Sequence, residues 1–253
     1  MRRRLAIAAI AVLAAFPVIA QSDRPAGGTT NEDDIALGER LATLLRAGRG
    51  VVSQHQALFN DPTIGDKDFT GDRMVREVEA AYVRRRGEPP VVEGMPERDR
   101  RLTEAQIEAM REVVDEHEHE IDMKDVGFKG FIPAVFGRLV NERFDEKVGT
   151  EARIKVTAPE ELVRNRKALP DAWETRVIET SFRDPAWPKG LAFTEEVEVS
   201  GRPAFRMLLP EYYSASCLAC HGSPKGELDV TGYPKEGAAE GDLGGAVSIT
   251  LFR

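Results

Sequence analysis

The 253-residue chain contains two cysteines, and they fall in one pentapeptide, Cys217-Leu218-Ala219-Cys220-His221. Two thiols separated by two residues, with an imidazole directly after the second, have the spacing of a c-type haem attachment sequence. The thiols add across the two vinyl groups of the porphyrin, and the adjoining histidine reaches the iron from the same turn as proximal ligand. The motif therefore predicts one covalently attached haem c, with Cys217 and Cys220 as thioether anchors, His221 on the iron and no thiol left over. Two other chemistries use C-x-x-C. A redox disulfide needs a first thiol acidified by a helix N-terminus, and such motifs sit early in their folds, whereas this one lies near residue 220 of 253. A zinc site needs two further ligands, and the sequence has no second C-x-x-C and no H-x-x-x-H.

The ends of the chain bear on that chemistry. Arg2, Arg3 and Arg4 precede an apolar run over residues 5–20 that closes in Val18-Ile19-Ala20. This is the pattern of a secretory signal, with cleavage expected after Ala20. The alternative, an uncleaved anchor, is disfavoured because the run falls short of the roughly 20 apolar residues that span a bilayer. Export to the periplasm is where c-type haem is attached, so signal and motif predict the same compartment. Without the signal no membrane insertion is expected. The formal net charge is −8 and becomes more acidic once Arg2–Arg4 leave. Such a chain is a poor ligand for nucleic acid, which needs clustered Lys and Arg, and suits steering toward a basic redox partner protein.

The elements that must position the motif follow from periodicity. Residues 21–32 read as a flexible leader, and 33–253 as a single domain with a helical N-terminal half. Leu37, Leu41, Leu44, Leu45, Val51, Val52, Leu58 and Phe59 recur at helical spacing, predicting one long helix from about residue 31 to Asn60. A second helix is expected over 71–86. A third is expected to open on a Thr103/Gln106 capping box, and a fourth to run over 130–147. A short strand at 153–157 and a helix opening at Leu169-Pro170 come next. From residue 191 the period falls to two: strands at 191–199 and 203–209 flank a Ser200-Gly201-Arg202 turn, and 245–252 closes the sheet. The predicted class is α+β, with N-terminal helices packed on a small antiparallel sheet and the haem loop inserted before its last strand.

Several stretches occur together: 128–136 (FKGFIPAVF), 155–159 (KVTAP), 162–165 (LVRN), 170–174 (PDAWE), the 217–222 loop, Gly232-Tyr233, Gly241-Asp242 and 244–248 (GGAVS). The combination resembles the single-haem c-type cytochrome domain with a PAS-like fold. That family was first described as a domain of unknown function and is typified by a cyanobacterial photosystem-associated protein. The resemblance covers roughly 33–253 and implies a PAS-like sheet with haem held between sheet and helix. It also implies either free periplasmic proteins or sensory domains of larger signalling chains; no kinase, cyclase or methyl-accepting segment follows here. The family's best-known member uses a distal cysteine, which this chain cannot do because both cysteines serve the anchor.

The sixth iron position is therefore the open question. His117 lies on the apolar stripe of the third helix and His55 on that of the first, so both are distal candidates, with Met207 and Met123 behind them; His119 points away. Buried hydrogen-bonded histidines are the plainer reading of the first two. Tyr212 and Tyr213 could flank the porphyrin or merely end a strand. Arg206 and Lys225 could pair with propionates or be surface charges. The tract 115–120 (DEHEHE) reads as a solvated acidic face rather than a metal site, and 61–67 falls short of a calcium loop. Three functions remain: one-electron transfer, haem-based redox or gas sensing at a weak or open sixth position, and peroxidase-like turnover. The last has least support, because no distal His/Arg pair can be assigned. No catalytic residue is assigned. The helical half could bury a homodimer interface or pack on its own sheet.

Overall fold

The computed structural model describes residues 31–253. The predicted signal at 1–20 and the leader up to residue 30 lie outside the described residues. Helix α1 (Asn31–Gln54) opens on Glu32, Asp33 and Asp34, where carboxylates meet the positive end of the helix dipole. Its stripe of Leu37, Leu41, Leu44, Leu45, Val51 and Val52 is buried within the chain's own core. The expected uninterrupted helix is in fact broken at one residue. His55 steps out of helical geometry (φ −92°, ψ 3°), and α2 (Gln56–Phe59) resumes. Tertiary bonds hold the break: His55 Nε2 lies 2.7 Å from Glu77, and Gln56 donates to Phe131 O at 2.9 Å.

Helix α3 (Gly71–Arg86) has the predicted bounds, because Thr70 caps it through Arg73 N and Gly87 ends it at φ 79°. Helix α4 (Glu97–Asp122) starts six residues before the predicted capping box. Thr103 is a buried mid-helix residue whose hydroxyl donates to Asp99 O at 2.6 Å. Gln106 donates sideways to Leu41 O of α1 at 3.1 Å. The residue pair of a box is present, but both side chains are spent on other partners. Helix α5 (Pro133–Val148) begins with proline in its first turn, a position that loses no hydrogen bond.

The sheet comprises β1 (Ala152–Thr157), β2 (Phe193–Val199), β3 (Arg202–Tyr212) and β4 (Leu243–Phe252), antiparallel throughout, in the order β1-β4-β3-β2. The fold is α+β, with the helices of the N-terminal half preceding the sheet. Val199 pairs with Arg202, so the hairpin loop is Ser200-Gly201, both at positive φ (53° and 79°). That geometry matches the right-handed twist of the paired strands. On the inner face Phe205, Met207, Leu209, Val247, Ile249 and Leu251 join the main core with α1, α3, α4 and α5. Helix α1 comes close: a Cβ on Gly38 would sit 2.6 Å from the Met207 sulfur, so a larger residue there would displace that side chain. On the outer face Leu208 and Ala246 pack with Val177, Ile178 and Phe182 around α6 (Ala172–Val177) and the π-helical turn Ile178–Phe182 after it. Strand β4 is thus covered on both faces. Among the described residues no helix is long and apolar enough to cross a membrane.

Candidate functional site

Residues 213–242 form an excursion between β3 and β4. Its neck is closed by two backbone bonds, Tyr213 N to Asp242 O (2.9 Å) and Gly241 N to Tyr213 O (2.8 Å). Just inside it a 3-10 turn (Ala215–Cys217) runs into α7 (Leu218–His221). Cys217 and Cys220 are three residues apart on this turn, so both free thiols share one side. Gly222 ends it at close quarters, since a Cβ there would lie 2.5 Å from Leu218 O.

His221 follows directly and is held on two sides. The Tyr213 ring stacks on the imidazole, with centroids 4.8 Å apart at 26°. The Nδ1 atom lies 2.8 Å from Glu236 Oε2. That commits Nδ1 and leaves Nε2 as the nitrogen that could meet a metal. Burial first, then the Glu236 charge, pushes the Tyr213 phenol up to about 12.

Arg164, from the stretch between β1 and α6, ties the excursion together. It donates to both Glu236 oxygens (2.9 and 3.1 Å), to Asp229 Oδ2 (2.6 Å) and to Cys220 O (2.9 Å). Asp229 is fully enclosed and also accepts from Thr231 N, the Thr231 hydroxyl and Tyr233 N. Burial would raise its pKa, but these donors hold the carboxyl well below the usual range. Glu236 behaves alike: burial is outweighed by Arg164 and by the bond to His221. The Cys220 thiol is pushed up by burial and by the Asp229 charge, the opposite of what a reactive redox thiol needs. Arg164, Asp229 and Glu236 were not among the residues that sequence reasoning selected as a site. The signals for them were partial: Arg164 lies in the 162–165 stretch that carries the resemblance, and Asp229 opens the Asp-Val-Thr-Gly turn at 229–232.

The distal candidates lie elsewhere. His117 Nδ1 is 2.8 Å from Val113 O, and its ring packs 5.4 Å from Phe131. His55 pairs with Glu77 and packs on Phe59 and Phe69. Both are partly buried, and these contacts lie within the helical half. His119 is exposed, and Met123 is 40% exposed at the end of α4. Met207 is fully buried against Gly38, yet it borders a groove of about 460 Å³ between α1 and the β2–β3 side of the sheet, with Ile35, Thr43, Arg46, Leu191 and Leu209.

Arg206 is no surface charge. It is 7% exposed on the outer sheet face, bonded to Asp171 (2.8 Å) and Glu174 (3.1 Å), with its guanidinium 4.2 Å from the Trp173 ring. Lys225 is exposed and Tyr212 carries the Lys189 ammonium 4.5 Å over its ring. In the acidic tract Glu116 pairs with Arg143, and Asp115 accepts from Gly71 N. In the 61–67 loop the Lys67 ammonium donates to Ile64 O and Gly65 O. Among the described residues no group of three or more His, Cys, Asp or Glu side chains is placed to hold a metal ion.

The donor set does fit a covalently attached haem. Cys217 and Cys220 could supply thioethers, and His221 could supply an imidazole whose far nitrogen is already satisfied. No curated protein and no solved structure matches the chain. The sequence profile of the family described as Tll0287-like matches residues 92–251, well over half of the length, and the chain belongs to that family.

Proposed function

We propose that this protein is a periplasmic mono-haem c-type cytochrome that carries single electrons. The observation behind the reading is the set Cys217, Cys220 and His221 on one helical turn, with Nδ1 of the histidine taken by Glu236. Each thiol would add its S–H across one vinyl group, with no atom lost, and Nε2 of His221 would bind the iron. The haem supplies a one-electron iron couple, tuned by ligand, burial and hydrogen bonds. The residues of the chain hold and shield. Tyr213 covers one side of His221, while Arg164 fastens Cys220 and Glu236 in one network. The acidic surface is suited to a basic redox partner.

A second reading, a haem-based sensor, draws on the distal candidates. His55 and His117 are engaged inside the helical half, and Met207 borders the groove beside α1. A weak or open sixth position would admit a gas ligand.

One preparation tests both. The chain is expressed with a c-type maturation system, and its mass and pyridine haemochrome spectrum are recorded. Reduced spectra are then taken with and without carbon monoxide. The expected result is one covalent haem with two thioethers and a low-spin reduced spectrum unchanged by carbon monoxide. A carbon monoxide adduct overturns electron transfer in favour of sensing. Protein with no mass increase overturns both.

A further inference from the structure

We infer that Glu236 is a positioning residue for the iron ligand: its carboxylate fixes the His221 ring in the tautomer that presents Nε2, and makes that nitrogen more electron-rich. The inference rests on the haem reading above and deepens it.

Three observations carry it. Both oxygens of Glu236 accept from the Arg164 guanidinium, and Oε2 lies 2.8 Å from Nδ1, so the ring nitrogen is the donor in that contact. A charged acceptor makes a stronger bond than a neutral one. Second, the carboxylate is itself fixed, because Arg164 donates to both of its oxygens. The same guanidinium donates to Cys220 O. One cation thus holds both the carboxylate that meets the imidazole and the backbone of one attachment cysteine. Third, the charges do not cancel. Arg164 faces two carboxylates, Asp229 and Glu236, which leaves one negative charge beside the imidazole. Backbone bonds complete the frame on the other strand of the loop, Ala238 N to His221 O (2.9 Å) and Gly237 N to Gly222 O (3.1 Å). Tyr213 Oη, 3.4 Å from Nδ1, is too far to compete for that donor.

The consequence is electronic as well as geometric. An acceptor on the outer ring nitrogen of a ligating histidine raises its basicity, and a more basic imidazole favours the ferric state. Glu236 should therefore hold the reduction potential down.

The test uses the haem-loaded protein, with mass and haemochrome recorded first. Potentiometric titration compares wild type with Glu236→Gln, Glu236→Ala and Glu227→Gln. Glu227 pairs with Lys235 on the exposed side of the same loop, so its variant makes the same charge change without touching His221. The expected result is an upward shift in both Glu236 variants and little movement in Glu227→Gln. Equal shifts in Glu236→Gln and Glu227→Gln, or no shift in either, overturn the inference while leaving haem attachment intact. Haem-free wild type would overturn the cytochrome reading and this inference together. Should the Glu236 variants fail to accumulate, NMR of the wild type decides. A slowly exchanging, strongly downfield His221 Nδ1 proton supports the bond, and one that exchanges as fast as a surface imidazole refutes it.

Discussion

Phe136 and Phe144 on α5 are fully enclosed by apolar neighbours, whereas Cys217, Cys220 and His221 all keep part of their surface in solvent. The bundle is held by burial, which is non-directional and tolerates small rearrangement. The loop is held by directional bonds: those from Arg164, the two at the Tyr213 neck, and backbone bonds such as Ala238 N to His221 O. A scaffold can be built from either, but only the second fixes a ring to within a hydrogen bond's tolerance. It also places the cost of failure differently. Loss of a bundle residue should unfold the chain, while loss of a loop residue should blur one site.

The sharpest way to break that contrast is Phe136→Ala. Its ring meets Phe131 edge-on at 6.0 Å and would touch any Cβ placed on Gly48. Truncation should cost about 3–5 kcal/mol of global stability in a denaturant titration; less than 1 kcal/mol would mean the bundle is not the mainstay of the fold. Next is Arg164→Ala, which strands the enclosed Asp229. The expected loss is about 1.5–3 kcal/mol, and hydrogen exchange should quicken over 222–241 while α1 and α5 stay protected. Uniformly faster exchange would merge the two regions into one cooperative unit.

The smallest effect concerns the join. Glu211, on the inner face where β3 ends, is paired with Arg46 (2.5 Å) and Arg49 (2.7 Å) of α1. Burial alone would raise its pKa, but the two guanidinium groups hold it below its ordinary 4.5. A carboxyl whose folded pKa is depressed binds protons more readily when unfolded. Its contribution is therefore complete above pH 4.5 and fades as pH falls through the depressed value. Glu211→Gln should lose about 1 kcal/mol at neutral pH and show a shallower acid decline than wild type. Parallel pH curves would remove the ion pairs from the account.

Legibility in the sequence followed the same divide. Helix α3 is readable because its Thr cap and terminal glycine act on adjacent residues; the hairpin is readable too, although Arg202, expected in the turn, pairs with Val199 as the first residue of β3. The start of α4 was not, because Thr103 and Gln106 form a capping pattern yet bond to Asp99 and Leu41. Arg206 looked like a surface charge because nothing local announces Asp171, Glu174 and Trp173 as its neighbours. At the site, the attachment motif is contiguous and was visible at once. Its support is not contiguous, since Arg164 stands 65 residues from Asp229 and 72 from Glu236. No periodicity spans such distances. The helical stripe rule put His55 and His117 inward, and both are partly buried, but a stripe says nothing of which neighbour a ring meets.

The strand order has a kinetic meaning. Strand β4, last of the four in sequence, lies between β1 and β3, which do not pair with each other. As the chain emerges from residue 31 onward, β2 and β3 can form their hairpin early, but β1 has no partner until residues 243–252 appear. Completion of the sheet waits on long-range pairing, which is slow. Throughout that interval Cys217, Cys220 and His221 are already out, ahead of β4, on a stretch whose neck at Tyr213 and Asp242 has not yet closed. The topology therefore leaves both cysteines on open chain until the last strand arrives and the neck closes behind them.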